Sequence, residues 1–173
     1  MRRRSTVLAS LILLLLLHAP CPARPPQRVE IPNFVQNPGF EDVAGSGPAG
    51  CVGYCMSGPF AFALAAAIPQ RIAAAASFHG VRLCTEALDS PHLTAHEVRG
   101  ELYFGCAETD EWAPAEMVEA LDAHLASVGL RYRIETYPGT VHGFVFPQRP
   151  TAYQQAGAER HWERLFSLFR RRL

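Results

Sequence analysis

From Ala49 onward the chain alternates between two hydrophobic periods. Ala49 to Tyr54 reads as a short strand, Ser57 to Ile68 as a small-residue helix stopped by Pro69, and Ile72 to Phe78 as a second, buried strand. Glu101 to Gly105 makes a third strand. A helix follows from Pro114 to Val128, with proline suited to its first turn, Gly129 suited to its stop, and Met117, Leu121, Leu125 and Val128 on one face. Arg131 to Tyr137 alternates as a fourth strand, setting Tyr132, Ile134 and Thr136 against Arg131, Arg133 and Glu135. After a loop from Pro138 to Pro150, the chain closes with a helix whose Trp162, Leu165, Phe166 and Phe169 form a stripe expected to pack into the core. Strands alternating with helices predict the α/β class: a mostly parallel sheet, helices on both faces, functional loops at the carboxyl ends of the strands.

The first 48 residues follow neither period. Met1-Arg-Arg-Arg, an apolar run from Val7 to Leu17, and Ala19-Pro-Cys21-Pro-Ala23 have the three-part layout of a secretory signal, so residues 1–23 read as a signal peptide or as a misassigned start. The run is shorter than the roughly 20 residues a spanning helix needs, so no membrane span is expected. Residues 24–48 read as an irregular leader, and residues 49–173 as one α/β domain. Two locations stay open: the periplasm or exterior if the signal works, the cytoplasm if it does not.

Composition narrows the chemistry. Sixteen basic residues balance sixteen acidic ones, and no basic stripe tracks a phosphate backbone, so nucleic-acid binding is not expected. Every basic residue is arginine, which excludes Schiff-base catalysis through lysine. Five cysteines (Cys21, Cys51, Cys55, Cys84, Cys106) form no CxxC and no zinc spacing, so neither a disulfide framework nor a metal or other cofactor is called for.

The sharpest motif is Gly53-Tyr54-Cys55-Met56-Ser57-Gly58, between a predicted strand and a predicted helix. It has the form of a nucleophile elbow, small-x-nucleophile-x-small, in which side chains at Gly53 and Ser57 would collide with the neighbouring strand and helix. The helix start favours thiolate and offers the Met56 backbone N–H as an oxyanion donor. A base and an orienting acid are then required in the chain order nucleophile, acid, histidine. Asp110, after the third strand, and His142, after the fourth, supply that order, with Gly143 leaving the imidazole free to move. His79 also ends a strand but precedes Asp110, and reads as pocket wall or packing. Glu108 and Glu111 read as solvated carboxylates, and His92, His96, His124 and His161 as surface residues.

These motifs carry a resemblance. Gly-Tyr-Cys55-Met-Ser-Gly, Ala-Glu-Thr-Asp110-Glu-Trp-Ala-Pro, Tyr-Pro-Gly-Thr-Val-His142-Gly-Phe and the closing Ala-Glu-Arg-His-Trp helix make residues 49–173 similar to the carboxyl-terminal part of the dienelactone hydrolase family of α/β-hydrolases. The resemblance implies an α/β-hydrolase fold without its amino-terminal strands. It further implies a Cys55, Asp110, His142 triad, and a small-molecule ester or lactone cleaved through a thioester.

It also implies departures. Ser57 stands where the family has a second glycine. Residues 1–48 do not show the family's early strands, the glutamate that helps set the thiol's charge, or the second oxyanion N–H. Phe146 occupies the position of the arginine that holds a dienelactone's carboxylate, the nearest arginine being Arg149. The alternatives are a thioesterase or peptidase on the same fold, and a non-catalytic remnant or binding module that kept the elbow.

Overall fold

The computed structural model describes residues 47–173. The chain divides into two units, Met1–Asn37 and Pro38–Leu173, and every described residue belongs to the second. The signal-like segment, Cys21 and nearly all of the leader lie outside the described residues.

Four strands, β1 (Ala49–Tyr54), β2 (Ile72–Phe78), β3 (Glu101–Thr109) and β4 (Tyr132–Val141), form one sheet in the order β1-β2-β3-β4. All three pairings are parallel. Helix α1 (Gly58–Ala67) follows β1 through a short 3-10 turn at Cys55–Ser57, α2 (Ala115–Val128) precedes β4, and α3 (Gln155–Arg172) closes the chain. A second 3-10 segment, Pro91–Glu97, lies between β2 and β3. Helix α2 stops where Gly129 takes φ +75°, its N–H donating back to the Leu125 and Ala126 carbonyls.

The period-2 rule distributes each strand between two cores. On one side Ile72, Ala75, Leu102, Phe104 and Cys106 meet Phe62 and Ala65 of α1 and Met117, Leu121 and Leu125 of α2. On the other, Ala74, Ala76, Phe78, Tyr103 and Tyr137 meet Leu165 and Leu168 of α3. Both faces are therefore covered, as a parallel sheet requires.

Three expectations change. Strands β3 and β4 each run four residues further than their hydrophobic pattern, because Cys106 pairs with Thr136, Ala107 with Tyr137 and Thr109 with Val141. Ladder hydrogen bonds, not side-chain alternation, set where they end. The alternation of β4 does not separate buried from exposed: Arg131 and Arg133 are exposed, but Glu135 on the same side is buried under α3, held by Arg133, Arg160 and Arg164. The stripe on α3 is rotated from its expected setting. Its core face is His161, Leu165 and Leu168, while Trp162 and Phe166 stack on each other at the surface, about half exposed at 49% and 51%.

Candidate active site

Each of the four strands is followed at once by a chemistry-bearing side chain: Cys55 after β1, His79 after β2, Asp110 after β3 and His142 after β4. Parallel pairing puts all four strand ends at one edge of the sheet. The extension of β3 and β4 is what delivers Asp110 and His142 to that edge.

The turn at Cys55 is sharp. Its φ of +52° lies in the left-handed region that a side chain rarely adopts, a cost of order 1–3 kcal/mol. The same turn leaves no room at Gly53, where a Cβ would stand 2.0 Å from the Ser57 carbonyl oxygen. The second crowded position is Gly58 rather than Ser57: a Cβ on Gly58 would meet Ser77 Oγ at 2.4 Å and Gly80 Cα at 2.7 Å. The Ser57 side chain is exposed, and its hydroxyl accepts from Tyr54 N–H at 2.7 Å and donates to the Tyr54 carbonyl at 2.8 Å. A serine at this place therefore braces the turn instead of crowding it. Met56 follows Cys55 with its side chain largely exposed.

His142 spans the other two groups. Its Nε2 lies 3.1 Å from Cys55 Sγ, and its Nδ1 lies 2.9 and 2.8 Å from the two oxygens of Asp110. The Asp110 side chain is 1% exposed, and one of its oxygens also accepts the backbone N–H groups of Trp112 and Ala113. It thus nucleates the turn before α2 and faces the imidazole with the same carboxylate. The imidazole is not loose beside Gly143, being enclosed by Asp110, Cys55 and the edge-to-face ring of His79. Arg149 folds back over Gly143, its Nη1 2.8 Å from where a Cβ there would stand.

The remaining candidates take other places. Glu108 accepts the Gly139 N–H at 2.9 Å and pins the end of β4, away from the imidazole, and Glu111 is exposed. Cys51 turns into α1 toward the Ala61 carbonyl, and burial pushes its thiol up to about 11. Burial, with the Asp110 charge adding to it, pushes Cys106 up to about 12. His92 packs edge-to-face on His124 and bonds Ser90 Oγ, and His96 is exposed beside Glu97. His161 is not a surface residue. It is 1% exposed, with Nδ1 donating to the Ala158 carbonyl, which leaves Nε2 to accept from Tyr54 O–H at 3.1 Å. Its signal in the sequence was its place four and seven residues before Leu165 and Leu168, on the buried side of α3. A groove of about 510 Å³ is lined by Tyr54, the residue before Cys55, with Phe146, Pro147, Tyr153 and Trp162 among others; Cys55, Asp110 and His142 are not part of its wall.

The model of the dienelactone hydrolase family matches residues 42–173. The chain belongs to the dienelactone hydrolase family. Among curated proteins this family member is similar to Protein usf of Aquifex pyrophilus, 23% identical over 121 residues, 70% of this chain and 50% of that one. Among solved structures it resembles a Klebsiella pneumoniae chain taken for a dienelactone hydrolase, with TM-score 0.64 and 24% identity over 69% of this chain and 50% of that one. It also resembles a dienelactone hydrolase-like promiscuous phosphotriesterase from metagenomic libraries, with TM-score 0.61 and 20% identity over 70% and 51%. A Pyrococcus horikoshii acylaminoacyl peptidase superposes with TM-score 0.61 at 15% identity, over 78% of this chain and 25% of that one. These likenesses show the α/β-hydrolase fold. The chain spans about half the length of Protein usf and of the two dienelactone hydrolase-like structures. Among the described residues no helix is long and apolar enough to cross a membrane.

Proposed function

We propose that this chain carries the reacting groups of a cysteine hydrolase acting on small esters or lactones. The observation that carries the reading is His142, whose two ring nitrogens face Cys55 and Asp110 at hydrogen-bond distance, with Cys55 on a strained turn at the sheet edge. In this mechanism His142 Nε2 takes the Cys55 proton, and Sγ attacks the substrate carbonyl carbon. The Met56 backbone N–H steadies the tetrahedral oxyanion. Collapse breaks the bond to the alcohol oxygen, which leaves with the proton from His142, and a thioester remains on Cys55. Water, deprotonated by His142, attacks that thioester; the acid departs and Sγ recovers its proton. Asp110 orients the imidazole and stabilises its charged form.

Phe146, standing where the family resemblance expects the arginine that holds a carboxylate, supports neutral esters as substrates over lactones bearing a carboxylate. Residues 49–173 are the catalytic domain in this reading, and location stays tied to whether residues 1–23 act as a signal. The test is p-nitrophenyl acetate, with the acetyl group trapped on the protein and located by mass spectrometry. Acetylation at Cys55, abolished by Cys55→Ala and His142→Ala, supports the reading. Acetylation at another residue, with Cys55→Ala unaffected, removes it.

A further inference from the structure

His79 is the one strand-end residue that the proposed reaction leaves unused, and its surroundings are unusual. It is fully buried, takes φ +39°, and is anchored by its own N–H donating to the Gly105 carbonyl at 2.7 Å. Neither ring nitrogen has a hydrogen-bond partner. Unpaired buried polar atoms and left-handed backbone are both destabilising, and such features concentrate at functional sites. The ring meets His142 edge-to-face, centroids 5.0 Å apart at 68°, and is wedged by Phe146 at 5.4 Å and Phe144 at 5.7 Å.

That contact meets a need the other two partners do not. Asp110 and Cys55 aim the two ring nitrogens, but the hydrogen bond to Cys55 is given up once Sγ attacks, and packing must then keep the ring from turning about its Cβ–Cγ bond, a rotation with a broad minimum. We propose that His79 is a positioning residue, holding the His142 ring plane in line between Asp110 and Cys55. This rests on the Cys55–His142 reading above.

The residue can do so without competing for the proton. Burial first, then the facing His142, with His161 of α3 and Arg149 of the loop after β4 also repelling positive charge, hold its basicity down to about 3, outweighing the opposing effect of its own backbone. Tyr54 of β1 faces it as a neutral ring. Asp110 lies against the His142 imidazole. A proton taken from Cys55 therefore stays on His142.

The test needs no substrate. The rate of Cys55 alkylation by iodoacetamide is followed against pH in the full chain, in His142→Ala, and in His79→Ala, His79→Leu and His79→Phe, with unfolding curves for each. Wild type should outpace His142→Ala below pH 7, because the base promotes thiolate. His79→Ala and His79→Leu lose the flat wall and should slow by about tenfold or more, their pH profiles moving toward that of His142→Ala. His79→Phe, which keeps a ring in the slot, should restore most of the wild-type profile. The inference falls if His79→Leu or His79→Ala keeps the wild-type profile, or if His79→Phe loses as much as they do. Equal profiles for wild type and His142→Ala would instead overturn the Cys55–His142 reading itself, and this inference with it.

Discussion

The Nδ1 of His142 lies within 2.9 Å of both oxygens of Asp110, a carboxylate that also accepts two backbone N–H groups. Asp110→Asn therefore removes more than a charge. One amide oxygen cannot serve the turn and present an acceptor to Nδ1 as the carboxylate does, so the imidazole is released into the wrong tautomer. Ester turnover should fall by about 10³–10⁴ in kcat, with KM little changed, and melting should drop modestly as the turn before α2 weakens.

Among the described cysteines a limiting dose of haloacetamide should label Cys55. Burial pushes Cys51 up to about 11 and Cys106 up to about 12, and raises Cys84, so all three stay protonated at neutral pH. Peptide mapping reads the outcome. Labelling mainly at Cys84 or Cys106 would count against Cys55 as the nucleophile.

At the elbow the cost of substitution should be uneven. Gly53→Ala forces a Cβ to 2.0 Å from a backbone oxygen that cannot move without reshaping the turn, and should cost several kcal/mol, of the order of ~3 or more. Ser57→Ala loses only exposed hydrogen bonds and should cost about 0.5–1.5 kcal/mol. Thermal unfolding of the two variants decides it, and equal losses would mean the turn is softer than its geometry states.

Acid should loosen α3 from the sheet. Burial alone would raise the Glu135 carboxyl, yet hydrogen bonds from Arg160 and Arg164 and the charges of Arg164 and Arg133 outweigh it and hold the group below its usual 4.5. Glu101, likewise opposed by burial, is held low by Arg171 and Arg172. A carboxyl depressed in the folded state binds fewer protons than in the unfolded one, so its stabilisation is complete above the unfolded value and is lost as pH falls through the folded one. Melting temperature should therefore decline as pH drops below about 4.5. Glu135→Gln should flatten part of that decline, by a modest amount because two of its three arginines are about half exposed to solvent.

Turnover by residues 24–173 alone should be low. Among the described residues strand β1, which leads into Cys55, lies at the sheet edge, with Met56 and Phe60 exposed at 72% and 71% near one end of it. The second oxyanion donor that the family resemblance assigns to an amino-terminal half would be worth about 10²–10³ in kcat. Expressing residues 24–173 beside a version extended upstream by such a half, and comparing cooperative melting and p-nitrophenyl acetate turnover, tests this. Equal rates from both would show that the extra strands are dispensable.

Local pattern alone determined much of this molecule. Two periods place four strands and three helices within a few residues of where they stand, since both are properties of short stretches of chain. The glycine-flanked Cys55, and the order Cys55, Asp110, His142 at strand ends, are likewise legible, because an elbow and a strand end are local features. What lies opposite a residue is not. Glu135 shows in the sequence only as one polar position of an alternating strand, and three arginines, two of them from α3, close over it; Trp162 reads as core until Leu165 and Leu168 take that side of the helix. The crowding at Gly58 comes from Ser77 and Gly80, about twenty residues away along the chain, and the burial of His79 from rings on β1 and the loop after β4. Periodicity sets which residues share a face, but only packing between distant segments decides what covers that face.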